Sequence, residues 1–106
     1  MKIYTHKDLE SNSFKETISK ATKMWTSICK ENEKKYGNKG TCVVDAGIYI
    51  KYIPKGKRKE IREMIISSRD ATYCQGNIIW EDGHEEVLKY LLNNDIEADF
   101  QWGRMD

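Results

Sequence analysis

The chain is poor in the residues that usually announce chemistry. Its 106 residues include two histidines, three cysteines and a single proline. Cys29, Cys42 and Cys74 are an odd number, and no two of them lie at the short spacing of a zinc knuckle. This argues against a disulfide framework and against a structural zinc site. Each cysteine sits among apolar neighbours and reads as a reduced, buried small hydrophobe. No apolar run approaches the roughly 18 residues that a membrane helix requires. The N-terminus, Met1-Lys2-Ile3-Tyr4-Thr5-His6, becomes polar at once and lacks the apolar stretch of a signal peptide. The expectation is a cytoplasmic protein that does not touch a membrane.

Catalytic and ligand signatures are missing as well. His84 is followed by Glu85-Glu86-Val87-Leu88, so the zinc-protease HExxH pattern is absent, and Asp82-Gly83 lacks the rest of a calcium loop. There is no nucleophile elbow, no glycine-rich phosphate cradle and no RNA-binding or helix-turn-helix signature. A cysteine paired with His6 or His84 and oriented by Asp45 would be the only nucleophilic arrangement, and nothing in the spacing brings those residues together. Asp45 reads more simply as a turn residue bonding its own backbone. No catalytic residue, metal ligand or cofactor is assigned.

What is present is the pattern of one folded domain. Hydrophobic residues make up 39% of the chain and charged residues 33%, a balance that favours a solvated globule over disorder. The length suits a single domain over residues 1–106 with a core of its own. Phe14, Ile18, Ala21, Trp25 and Ile28 recur at helical spacing, with Ser13 and Glu16 as a capping box and Gly37 as a C-terminal cap. They predict a long helix over 14–36. Residues 41–44 and 48–53 are rich in β-branched and aromatic side chains and predict strands, with Asp45-Ala46-Gly47 as a tight turn or bulge in which Gly47 takes positive φ. Pro54 and Gly56 close the second of these, and Pro54-Lys55-Gly56-Lys57 would serve as a hairpin loop.

Residues 57–69 fit a helical stripe and a strand equally well. Residues 72–74 and 77–80 read as short strands about a bend at Gln75-Gly76. Asp82 predicts the cap of a helix over 84–93, with Val87, Leu88, Leu91 and Leu92 buried and Glu85 and Glu86 in its first turn. Ile96, Ala98, Phe100 and Trp102 alternate with polar residues, which predicts a closing strand with one buried face. Trp25, Trp80 and Trp102 all fall on apolar positions and are expected in the core. The fold class is α+β. A mostly antiparallel sheet, joined by a short strand over 2–5, packs against the long N-terminal helix and the shorter one near the C-terminus, in two layers.

Charge is the one feature with a shape. Residues 51–62 carry Lys51, Lys55, Lys57, Arg58, Lys59 and Arg62 against Glu60, a net of +5, whereas residues 80–106 carry a net of −6. The whole chain, at +1, conceals two opposite poles. Lys51, Tyr52, Lys55, Lys57, Arg58, Lys59 and Arg62 are therefore the candidate site for a partner or an anionic ligand; a solvated loop that merely keeps the protein soluble is the bland alternative. The reading that follows is a small non-enzymatic binding module of a regulatory, inhibitory or immunity type, occupying the surface of another protein. The alternative is a nucleic-acid or nucleotide binder using residues 51–62, with Tyr49 and Tyr52 for stacking. A lesser one is a small enzyme whose site is assembled from distant residues. Opposite poles would also allow a homo-oligomer.

Overall fold

The computed structural model describes residues 2–37, 46–71 and 77–102. In chain order these form β1 (Ile3–Thr5), α1 (His6–Glu10), α2 (Asn12–Tyr36), β2 (Ala46–Ile53), β3 (Ile61–Ser67), α3 (Ser68–Ala71), α4 (Asn77–Glu81), α5 (His84–Asn93) and β4 (Asp99–Trp102). The strand expected over 41–44, the Asp45 turn, the strand over 72–74 with its bend, Cys42, Cys74 and the last four residues lie outside the described residues.

The α+β class is as expected, and the sheet is mixed. β2 is its centre: β3 runs antiparallel along one side. On the other side β4 pairs antiparallel with the first half of β2 and β1 pairs parallel with the second half. Alternation places Tyr4, Ala46, Ile48, Ile50 and Ile66 on one face, where all are buried. The residues between them, such as Ile3, Lys51, Arg62 and Gln101, are exposed or half-buried. Among the described residues the helices therefore cover one face only. Trp25, Ala21 and Cys29 of α2 meet Ile79 and Trp80 of α4 and Val87 and Leu91 of α5 in the same core.

Three polar groups bind the layers together. Trp25 Nε1 donates to the Trp80 carbonyl at 3.1 Å, and Tyr4 Oη donates to the Asp95 carbonyl at 2.9 Å while accepting from the Glu97 N–H. Asn32, buried in α2, donates from Nδ2 to the carbonyls of Ile79 and Asp82 at 3.0 and 2.8 Å. Replacing Asn32 with Ala strands both carbonyls and is expected to cost about 2–3 kcal/mol, measured by urea unfolding.

Several local expectations are corrected. The N-cap of α2 is Ser11, whose Oγ accepts from the Phe14 N–H at 3.1 Å, so Ser13 falls inside the first turn and makes no capping box with Glu16. Three adjacent cap-forming residues, Ser11-Asn12-Ser13, made the choice ambiguous. Gly47 is not a turn residue: it lies within β2, opposite Ser67 and Gln101. A Cβ there would meet Met64 Cγ at 3.0 Å and the Ile66 carbonyl oxygen at 3.1 Å, so the glycine permits close strand approach. Residues 61–67 resolve as strand rather than helix.

Residues 77–80, expected as a strand, belong to α4 instead. That single helical turn, continued by the Asp82 N–H to Ile78 carbonyl bond, lodges Ile79 and Trp80 against α2. Asp82 does not cap α5. The N-cap is Gly83 at φ 86°, and a Cβ there would lie 2.8 Å from Ile28 Cγ2. The Asp82 carboxylate accepts from the Tyr36 hydroxyl at 2.8 Å. Beside it, the Lys35 ammonium is held above the usual lysine value, first by its hydrogen bond with Tyr36 and then by the charges of Tyr36 and Asp82. Leu92 and Trp102, expected in the core, are 57% and 36% exposed.

Candidate functional site

The β2–β3 connection is a tight turn built by its sequence. Lys57 N–H donates to the Pro54 carbonyl at 3.0 Å, and Gly56 takes φ 78°, as the third residue of a type II turn requires. Lys55, Lys57, Arg58 and Lys59 are exposed on this tip. None of the four makes an ion pair among the described residues.

The other three candidate residues sit differently. Lys51 lies on the open face of β2, where its ammonium is 4.0 Å from the Glu60 carboxylate. Arg62, opposite Lys51 on β3, extends across the face of β2 and donates to Asp99 Oδ2 at 2.7 Å. Tyr52 points the other way, half-buried against the core beneath the helices. Adjacent strand residues face opposite sides, so Tyr52 cannot join Lys51 in one surface. The seven candidates thus divide into four unpaired cations at a hairpin tip, two paired cations on the open sheet face, and one core aromatic.

Three acids of the acidic stretch serve the fold. Asp82 serves Tyr36, Asp99 serves Arg62 and Gln101, and Glu97 accepts from the Lys2 backbone N–H. His84, 28° from parallel to Phe100 at 4.3 Å, holds its Nδ1 at hydrogen-bond distance from the Glu81 carbonyl and 3.7 Å from Glu85. Among the described residues no three His, Cys, Asp or Glu side chains converge on a metal position.

Further along β3 is a feature that sequence reading missed. A groove of about 290 Å³ runs between β3 and the start of α2, lined by Leu9, Phe14, Lys15, Ile18, Glu63, Met64 and Ile65. The register of β2 against β3 shifts between Ile48 and Tyr49, leaving Ile65 as an extra residue in β3. That extra residue is itself part of the groove lining. Phe14 and Ile18 belong to the apolar stripe of α2, and their half-exposure was not visible in the periodicity.

Comparison with family models, curated proteins and solved structures finds no match for this chain. Among the described residues no helix is long and apolar enough to cross a membrane.

Proposed function

We propose that the protein is a small non-enzymatic binding module of the cytoplasm, of a regulatory, inhibitory or immunity type, which docks on an acidic surface of another protein through its β2–β3 hairpin. The observation that carries this reading is the contrast within one basic segment. Lys51 and Arg62 are matched to Glu60 and Asp99, whereas Lys55, Lys57, Arg58 and Lys59 project from the turn without an ion pair among the described residues. Charges of one sign gathered on a protruding turn steer encounter with an oppositely charged surface over a Debye length of about 8 Å at physiological salt.

A nucleic-acid partner ranks lower. Single strands need aromatic faces beside the cations; Tyr52 is turned into the core, and Tyr49, on the open face, lies opposite Met64 and Asp99 within the sheet and not at the hairpin tip.

Replacing Lys55, Lys57, Arg58 and Lys59 with Gln tests the proposal. Exposed turn charges contribute within about 0.5 kcal/mol, so the fold should be unchanged. Association with a partner recovered from extract by the unaltered protein is expected to slow by about tenfold at low salt, and by much less at high salt. A salt slope reduced by about four, with nucleotide absorbance in the recovered material, would transfer the hairpin to a nucleic acid. Association at an unchanged rate would leave the hairpin with no docking role.

A further inference from the structure

We infer that the groove between β3 and α2 is a peptide site, which takes an extended, acidic segment of a partner protein as an added strand on the free edge of β3. The inference rests on the proposed docking role of the hairpin for its charge preference, and on the groove for its shape. Three observations meet there. First, β3 pairs only with β2 among the described residues, so its outer edge offers unpaired backbone donors and acceptors to a further strand. Second, the space beside that edge is lined by Phe14, Ile18 and Ile65, all half-buried, with Met64 39% exposed at its margin. An added strand turns every second side chain toward the helix layer, and these residues would receive them.

Third, the charges along this edge are mostly positive. Lys57, Arg58 and Lys59 precede β3, Arg62 lies on it and Lys15 stands on the helical wall of the groove, against Glu60 and Glu63. From Lys59 to Ile65 the strand rises about 20 Å, so a segment of about seven residues could set apolar side chains in the groove and acids beside the hairpin. A second copy of this chain fits less well. Its own β3, Ile61–Ser67, carries one base and one acid and has no excess of carboxylates to meet the hairpin.

The probe is a capped seven-residue peptide of alternating Glu and Val, titrated into the whole protein and followed by backbone amide shifts. Saturable shifts are expected along β3 and the first turns of α2. Affinity should fall by at least about tenfold for the matching Lys–Val peptide, for a Glu–Val peptide N-methylated at alternate residues, and for the Ile18→Gln protein, which loses apolar lining without gaining charge. Met64→Gln on the exposed margin gives the same test should the first variant not fold. No shift at millimolar peptide, or equal affinity after N-methylation, would overturn the inference. So would a dimer formed through β3 at the titration concentration. Shifts confined to residues 54–60, untouched by Ile18→Gln, would overturn the groove and leave the hairpin reading standing. Groove binding unchanged in the four-Gln hairpin protein would remove the hairpin reading and keep the groove.

Discussion

Trp25→Ala is expected to lower the unfolding free energy by about 3–5 kcal/mol. Trp25 is the largest side chain with no exposure, at the middle of the α2 stripe. Its removal opens a cavity between the helices and the sheet and withdraws the edge contact with Phe100 at 6.1 Å. It also leaves the Trp80 carbonyl without the indole N–H that bonds it. Both penalties add to the lost transfer energy, since the surrounding layers can only partly collapse. The informative control is Trp102→Ala. Both tryptophans occupy apolar positions in sequence, but Trp102 ends an edge strand opposite Ala46 and is over a third exposed. Its loss should cost about 1 kcal/mol or less. Guanidinium unfolding of the two variants checks the pair, and equal losses would mean that the core is misplaced.

Ile48→Asp should leave no cooperatively folded protein. Ile48 has no exposure and faces Ile66 on one neighbour and Phe100 on the other, so an aspartate there has neither water nor a cation to meet. An unpaired buried carboxylate costs several kcal/mol, against a total stability of about 5–15 kcal/mol. One residue along, Tyr49 points to the uncovered face beside the Arg62–Asp99 pair. Tyr49→Thr is expected to fold, losing about 1 kcal/mol or less, as checked by circular dichroism and heat denaturation. A folded Ile48→Asp protein beside an unfolded Tyr49→Thr protein would put the helices on the wrong face of the sheet.

The parts of the fold that were legible in sequence are those where a period runs long. The α2 stripe spans about four turns, and Ala21, Trp25 and Cys29 follow it into the core. Residues 48–53 declared a strand by β-branching. Ile78-Ile79-Trp80 did not declare a helix, because a short apolar run has no period and only packing against α2 decides its shape. Leu92 was misplaced by counting four leucine-type residues as one face; it lies about 140° around the helix from buried Val87. Asp82 was a credible cap from composition, but Tyr36, 46 positions away, claims its carboxylate, and Asn32 takes its backbone carbonyl.

The candidate site was legible as a charge cluster and not as a surface. Alternation already set Tyr52 against Lys51, and the sequence reading grouped them regardless. What sequence could not show was that Glu60 and Asp99 take up Lys51 and Arg62, leaving the four tip cations unmatched. The groove is made where Leu9, Phe14 and Ile18 meet Glu63, Met64 and Ile65, residues far apart in the chain that no local pattern brings together.

The central claim is that docking charge is concentrated at the hairpin tip, and two proteins of equal net charge test it most directly. In one, Lys55, Lys57, Arg58 and Lys59 become Gln. In the other, the exposed helical residues Lys20, Lys23, Lys30 and Lys34 become Gln. Both lose four positive charges from a chain whose net charge is +1, so overall repulsion from an acid is the same. Association with immobilised poly-glutamate is then measured at low salt. The hairpin protein is expected to bind about tenfold more slowly than the helix protein, which should stay close to the unaltered chain. Equal slowing of the two would contradict the claim, because the tip would then count for no more than any other exposed lysines.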